Sequence, residues 1–260
     1  MLEDSVKSKP KILLWDIETS LNEVRTFDLW NTNIPHIRMQ TPWIIFCAAW
    51  KWVGQKTIHT VSLLDDMTRF SMNHMDDGHV VEVLYGVLAE ADAIVAHNGD
   101  KFDIKKFNTR AIKHGFDPLP SIVQIDTLKM AKQKFSFPYN RLDYLGEFLG
   151  VGRKVHTEPE LWDRCMDGDQ KALKAMVKYN KGDITLLEAV YDKLSPWVPT
   201  KLNMNHFSEG LVCPKCGGDH VTRHKRRLTR VGAMIQFQCQ GCGHYFSAPE
   251  NKKGELGLAR

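Results

Sequence analysis

No stretch of this 260-residue chain approaches the roughly 18–20 consecutive apolar residues that a membrane-spanning helix needs. That excludes a helix through a bilayer. The first ten residues, MLEDSVKSKP, are charged and polar and lack the apolar centre of a secretory signal. The expectation is a protein of the cytoplasm, or of the host cytoplasm if it is viral, with no membrane partner. Internal repeats and low-complexity tracts are also missing, which argues against a solenoid and against a disordered chain. Cysteine is scarce, at six residues. Cys47 and Cys165 stand alone in apolar or mixed surroundings and read as buried free thiols, so nothing suggests a disulfide framework. Acid is scarce at one end only. Residues 201–260 hold ten Lys and Arg against four Asp and Glu, a net +6, whereas residues 1–200 come to −2. A near-neutral body with a basic tail suggests a polyanionic partner for the tail, with plain solubility as the competing explanation.

What is present is ordinary for a globular protein: 43% hydrophobic and 25% charged residues, enough chain for one medium domain and a small one. KILLW (11–15) is a mostly apolar run ending at Asp16 and predicts a central strand buried on both faces. WIIFCAAWKW (43–52) predicts a longer strand, with KTIHTVSL (56–63) pairing to it as a hairpin. Apolar residues at helical spacing predict a helix over 80–91. DAIVAH (92–97) predicts a short buried strand, and 103–115 a helix stopped by Gly115. SIVQI (121–125) reads as a strand, followed by Asp126 as the N-cap of a helix to about 134. A short helix over 141–150 and a helical region over 169–194 complete an α/β layered domain, residues 1–195. Residues 196–210 read as a linker, 211–250 as a separate small module and 251–260 as a tail.

Asp16 and Glu18, in DIE, stand at i and i+2, where an extended chain points both side chains to one face. Neighbouring carboxylates repel, and a site that gathers them supplies a cation; hard oxygen ligands suit Mg²⁺ or Mn²⁺. On its own the pair is weak evidence, because a solvated strand end accounts for it as well. Asp103 opens a helix, where its charge is worth ~0.3–1 kcal/mol without any further role. Asp100 reads as a turn residue beside Gly99. Tyr179 and Asp183, in YNKGD, are at i and i+4 and share one side of a helix. Gly182 between them costs roughly 1 kcal/mol in a helix interior, which points either to a helix break or to a close approach at the backbone.

Taken together, DIET (16–19), HNGDKFD (97–103) and YNKGD (179–183) resemble, in order and spacing, the three motifs of the DEDD superfamily of 3′–5′ exonucleases. They look most like the proofreading domain of family B DNA polymerases and its stand-alone relatives. QIDTLKMAKQKF and NRLDYLGEFLG resemble the helical segments that such domains carry between the second and third motifs. The resemblance spans about residues 10–195. It implies an RNase H-like mixed sheet flanked by helices, and two divalent ions, Mg²⁺ or Mn²⁺, held by Asp16, Glu18, Asp103 and Asp183. One subgroup has a His five positions before the last Asp, where this chain has Lys178. Tyr179, four positions before it, implies the Tyr-type subgroup. Asp16 is implied to bridge the two ions, Glu18 and Asp183 to hold the one that carries the attacking water, and Asp103 to support the other. A free tyrosine, with a pKa near ~10, is a poor base at neutral pH, so Tyr179 is expected to orient the water. The resemblance also implies that Asn98 holds the substrate strand near its 3′ end. Thr19 would meet the terminal 3′-hydroxyl through its backbone, and Phe102 would pack beneath the site or touch the terminal base. Lys101, Lys105, Lys106 and Arg110 surround the second motif, as phosphate contacts or as a solvated helix face.

CPKC and CQGC place Cys213, Cys216, Cys239 and Cys242 in two pairs separated by 22 residues, Gly217 through Gln238. Each pair forms a knuckle supplying two thiolates to a tetrahedral Zn²⁺. A module of this size cannot stabilise itself by core burial alone, so one structural zinc would supply its folding energy. His220, His224 and His244 leave a mixed site as the alternative. Between the pairs, Arg223, Lys225, Arg226, Arg227 and Arg230 fall on or near a hairpin tip, positioned for sequence-independent phosphate contacts or simply for solvation. The module resembles the zinc ribbons of transposase-type DNA-binding proteins, which implies DNA binding, although zinc ribbons also bind proteins.

The expected function is a metal-dependent 3′–5′ exonuclease acting on DNA 3′ ends, with the ribbon aiding nucleic-acid binding. The residues left over are too few for a polymerase palm and fingers, so it would stand alone or serve a polymerase, replication or repair partner. Two rivals remain at this point. One is a 3′–5′ exoribonuclease, since the motifs do not read the sugar. The other is a catalytically silent nucleic-acid-binding adaptor, against which the presence of all four acids argues.

Overall fold

β1 (Ile12–Thr19) is the central strand of a five-stranded mixed sheet and carries the first two acids of the site. The computed structural model describes residues 9–27, 30, 33–208, 210–230 and 232–250. After β1 come a short hairpin of β2 (Glu23–Val24) and β3 (Met39–Thr41), then β4 (Ile45–Trp52), β5 (His59–Ser62), α1 (Met67–Met72) and α2 (Gly78–Ala89). β6 (Ala93–Ala96), α3 (Asp103–Lys113), β7 (Val123–Asp126) and α4 (Thr127–Lys134) follow. α5 (Leu142–Phe148), α6 (Glu160–Met166) and the long α7 (Gln170–Leu194) complete the helices, and β8 (Val221–Thr229), β9 (Gly232–Cys239) and β10 (Tyr245–Pro249) form a second sheet.

The main sheet runs β5-β4-β1-β6-β7. β4 lies antiparallel to β1 and opposes Cys47 to Glu18, whereas β6 lies parallel to β1. β4 is buried from Ile45 through Trp50 on both faces, as a near-continuous apolar strand with neighbours on each side requires. In β1, Leu13, Leu14, Trp15 and Ile17 are buried while Asp16 and Glu18 stay partly exposed. The strand runs on through Thr19, so these acids lie within it. Trp15 meets Phe107 of α3 edge-on, ring centroids 6.4 Å apart, in a core that includes Phe46, Leu84, Leu88 and Met176. Burying such side chains contributes about 1.5–3 kcal/mol each. Asp77, ahead of α2, is fully buried. It accepts from Arg110 Nε at 2.6 Å and from the Ile45 amide at 2.9 Å, and its Oδ1 lies 2.7 Å from His114 Nε2. Arg110 therefore points into the body and is no phosphate contact.

Asp126 caps α4 as expected, its Oδ1 accepting from the amides of Leu128 (2.9 Å) and Lys129 (3.4 Å). α7 continues unbroken through Gly182, where an added Cβ would meet Val155 at an ordinary 3.5 Å. The glycine thus marks neither a helix break nor a forced close approach. α1, α6 and the β2–β3 hairpin are additions to the sequence reading. The mixed sheet with flanking helices and the small β module agree with it.

By internal contacts the chain divides into two compact units, Lys11–Lys129 with Phe137–Val190, and Met1–Pro10 and Met130–Ser136 with Tyr191–Arg260. In the second unit β10, β9 and β8 form an antiparallel sheet in that order, around Cys213, Ile235, Phe237, Cys239, Phe246 and Ala248. The expected tail, 251–260, lies outside the described residues. Among those described, no helix is long and apolar enough to cross a membrane.

Candidate active site and zinc centre

The pairing of β1 with β6 ends at Leu14 and Val95. Beyond that point β1 has no strand partner on that side among the described residues, and the chain leaving β6 turns. Asn98 makes the turn with a positive φ of 67°, a conformation asparagine tolerates better than most residues. Its amide donates to Asp126 Oδ1 at 3.0 Å, and its carbonyl accepts from Lys101 and Phe102. Gly99 packs so tightly that an added Cβ would lie 2.4 Å from the Ala96 Cβ. Asp100 pairs with Lys129, consistent with a turn role. The turn delivers Asp103 to the first position of α3, where it is buried and accepts from the Ile17 amide at 3.3 Å.

Asp183 reaches the same place from α7. Oxygens of Asp16, Glu18 and Asp183 lie within 4.8 Å of one another, although Asp183 is 167 residues from Asp16 in sequence. Asp103 is outside that trio but acts on Asp16 more strongly than any other charge does. Burial, and then repulsion from Asp103, Glu18 and Asp183, hold the Asp16 carboxyl well above its ordinary value. Burial, and then Asp183, push Glu18 up to about 8. Burial pushes Asp103 up to about 7 against the opposing Ile17 hydrogen bond. Burial raises Asp183 too, against the pull of Lys154. Asp183 Oδ1 is buried with no hydrogen-bond partner among the described residues. A set of crowded hard-oxygen donors, each favouring protonation and one left unsatisfied, fits divalent cations such as Mg²⁺ or Mn²⁺.

Two residues that the sequence reading left out belong to this cluster. Lys154 Nζ donates to Asp183 Oδ2 at 2.7 Å and to the Tyr179 hydroxyl at 3.2 Å. Burial is the largest influence and works against its charge, but the charge and hydrogen bond of Asp183, with Asp16 and Tyr179, together hold the ammonium above its usual range. Lys154 follows α5 in a loop, where no periodicity marks it. Asn180, fully buried, donates from Nδ2 to Asp16 Oδ2 at 2.6 Å. It lies inside the YNKGD motif, and its spacing of three from Asp183 was a usable signal. Tyr179 is raised above its ordinary value by burial and by Asp183, so it stays protonated at neutral pH.

Of the three expected substrate residues, Thr19 and Phe102 are linked through one lysine. Thr19 Oγ1 accepts from Lys106 Nζ at 3.1 Å, and that ammonium lies 3.9 Å from the centroid of the Trp43 ring and 5.0 Å from that of Phe102. Phe102 is 39% exposed, available to a ligand and not sealed in the core. Thr19 and Phe102 thus converge on Lys106, one residue from Glu18 and from Asp103 respectively, while Asn98 shapes the turn itself.

The other unit gathers all four thiols. Cys213 and Cys242 Sγ are 3.7 Å apart, as are Cys216 and Cys239 Sγ, and the four lie within 4.8 Å of one another. A tetrahedron with zinc–sulfur bonds of ~2.3 Å has edges near ~3.8 Å, so the spacing is that of a four-thiolate cage. Each knuckle closes with an amide-to-carbonyl bond, Gly217 to Cys213 (2.8 Å) and Gly243 to Cys239 (2.9 Å). Both glycines have positive φ, 73° and 78°, where a side chain would be strained. His244 is engaged with the Pro196 carbonyl at 2.7 Å, and no histidine among the described residues joins the cluster. Of the five basic residues, Arg226 pairs with Glu250 at 2.5 Å and Arg223 approaches the same carboxylate at 3.9 Å. Lys225, Arg227 and Arg230 are exposed and make no ion pair among the described residues.

Residues 52–195, more than half of the chain, match the RNase_H superfamily, and the chain belongs to that superfamily. Residues 212–252 match an Ogr/Delta-like zinc finger, which together with the thiol cage makes the second unit a zinc-binding module. In fold, the chain is similar to the family B DNA polymerase from the hyperthermophilic archaeon Pyrobaculum calidifontis, with a TM-score of 0.50 and 14% identity. The match covers 86% of this chain and 31% of the polymerase, so the chain spans about a third of that protein's length and the likeness is one of fold. No curated protein matches the chain. The superfamily match begins after β1, so Asp16 and Glu18 join Asp103 and Asp183 through the three-dimensional clustering.

Proposed function

We propose that this protein is a metal-dependent 3′–5′ exonuclease that removes nucleotides from DNA 3′ ends, with its zinc module aiding nucleic-acid binding. One observation carries the reading: Asp16, Glu18 and Asp183 converge from a strand and a distant helix, with Asp103 beside them and Asp183 Oδ1 left without a partner among the described residues. A structural role does not account for four carboxylates held together against their mutual repulsion. Asp16, Glu18, Asp103 and Asp183 would hold the two ions. When bound, such ions supply charge compensation at a phosphodiester and acidify water.

The remaining residues position the reactants. Tyr179, protonated and one helical turn from Asp183, orients the attacking water as a hydrogen-bonding partner and does not act as a base. Lys154 adds a fixed positive charge where negative charge develops on the phosphate. Thr19 and Phe102 line the seat of the terminal nucleotide, and Asn98 shapes that seat from the turn. Lys225, Arg227 and Arg230 offer phosphate contacts that do not depend on base sequence.

The test uses 5′-labelled single-stranded DNA and RNA with Mg²⁺ or Mn²⁺, and EDTA as control. Stepwise shortening of DNA from its 3′ end, abolished by EDTA, is expected. Shortening of RNA alone would make the protein an exoribonuclease, and no metal-dependent shortening of either polymer would make it a binding protein.

A further inference from the structure

Asn180 occupies an unusual place for an amide. It is fully buried, it sits in the core of α7 between Tyr179 and Asp183, and its side chain points at the acid cluster. Nδ2 donates to Asp16 Oδ2 at 2.6 Å. Oδ1 faces the Cys47 thiol, 4.0 Å away on β4, and Cys47 is the cross-strand neighbour of Glu18. The two ends of the amide are therefore distinguished by what they meet. The NH₂ faces a carboxylate and the carbonyl faces an S–H, a weak donor; the flipped amide would set oxygen against oxygen.

The chemistry of the side chain suits this place better than its alternatives. An aspartate would add a further negative charge to a cluster that already repels itself. A lysine would bring a cation into direct competition with a metal. An aliphatic residue would leave Asp16 Oδ2 without its buried partner. The amide donates without carrying charge, and it leaves Asp16 Oδ1 and one lone pair of Oδ2 free to ligate.

We propose that Asn180 is the positioning residue of the metal site, fixing through its Nδ2 hydrogen bond the orientation in which Asp16 presents its oxygens to divalent cations. This rests on the divalent-metal reading of the acid cluster. Outer partners that orient a ligating carboxylate typically govern metal affinity by about 10–100-fold.

The experiment compares two substitutions in the zinc-loaded full chain. Mn²⁺ binding is followed by loss of the free-ion paramagnetic resonance signal, with thermal unfolding of the same zinc-loaded protein, before any Mn²⁺ is added, measured alongside. Asn180→Leu fills the space and removes the donor. Asn180→Ala removes the donor but leaves room for a water to donate to Asp16 in its place. The expected order of Mn²⁺ affinity is wild type, then Ala, then Leu, with Leu weaker than wild type by at least about tenfold. A packing role predicts the reverse order for the two variants, because the larger side chain fills the core better; that order, or wild-type affinity in both, overturns the proposal. Wild-type protein that binds no Mn²⁺ beyond the level of an Asp16→Ala, Asp183→Ala control would instead overturn the metal reading itself.

Discussion

Lys154 and Asp183 form an ion pair of 2.7 Å inside the acid cluster. Asp183 is only 2% exposed at its side chain and Lys154 31%, so the ammonium partly offsets the charge that a bound cation would offset in full. Asp16, Glu18 and Asp103 form no such pair among the described residues, and their titration carries the remaining burden.

Glu18 and Asp103 are pushed up to about 8 and about 7 in the folded protein, against roughly 4.3 and 3.9 for unfolded chains. The folded state thus holds protons that the unfolded chain has already released. The stability that these two groups contribute before a divalent ion binds is fully present below about pH 4 and is lost as pH rises towards 8. In zinc-loaded protein with no Mg²⁺ or Mn²⁺ added, the unfolding temperature of the larger unit should fall between pH 5 and pH 8. Mg²⁺ or Mn²⁺ should restore it at pH 8 and do little at pH 5, where protons already neutralise the site. A larger unit that, without those ions, is more stable at pH 8 than at pH 5 would contradict the assignment.

Asp16→Ala and Asp183→Ala should each remove nuclease activity while circular dichroism and thermal unfolding show a folded protein. Tyr179→Phe should lower the rate and leave measurable turnover, because a water can still be held by the remaining groups. Wild-type digestion by either aspartate variant would show that the chemistry lies elsewhere.

The two sets of basic residues on β8 should behave differently. Arg223 and Arg226 share Glu250, whereas Lys225 and Arg227 are unpaired among the described residues. Removing Lys225 and Arg227 together should weaken DNA binding and reduce the slope of log affinity against log salt by about 2, about one for each phosphate that is no longer neutralised. Removing Arg223 and Arg226 should change that slope less. Equal slopes would mean that Glu250 does not shield its partners in solution.

Asp77→Ala should be among the most destabilising single changes in the larger unit. It strands Arg110, whose side chain is only 4% exposed, and removes the acceptor of the Ile45 amide. A loss of about 3–5 kcal/mol is expected on denaturant titration, against less than 1 kcal/mol for an exposed pair such as Lys11–Glu90.

The motif residues were legible because their chemistry is local: two acids in one strand, a Tyr and an Asp one helical turn apart, four cysteines in two knuckles. The strands and long helices were legible through periodicity. Lys154 was not, because nothing in a loop lysine's neighbours in sequence shows that it will fold against an acid 29 residues away. Arg110 and Asp77 were missed for the opposite reason. Each reads as a surface charge until the other is known to be buried with it. Gly182 misled because a glycine within a helix suggests a special contact, and here the space around it is ordinary.

Gly99 has a consequence beyond its own turn. With the Ala96 Cβ only 2.4 Å from where a methyl group would stand, even an alanine must push the segment that leads to Asp103 away from the end of β6. Gly99 has no side chain to offer a nucleotide or a cation, yet a mutational survey of this protein would score it with the ligands, because the placing of Asp103 is gauged by a missing side chain.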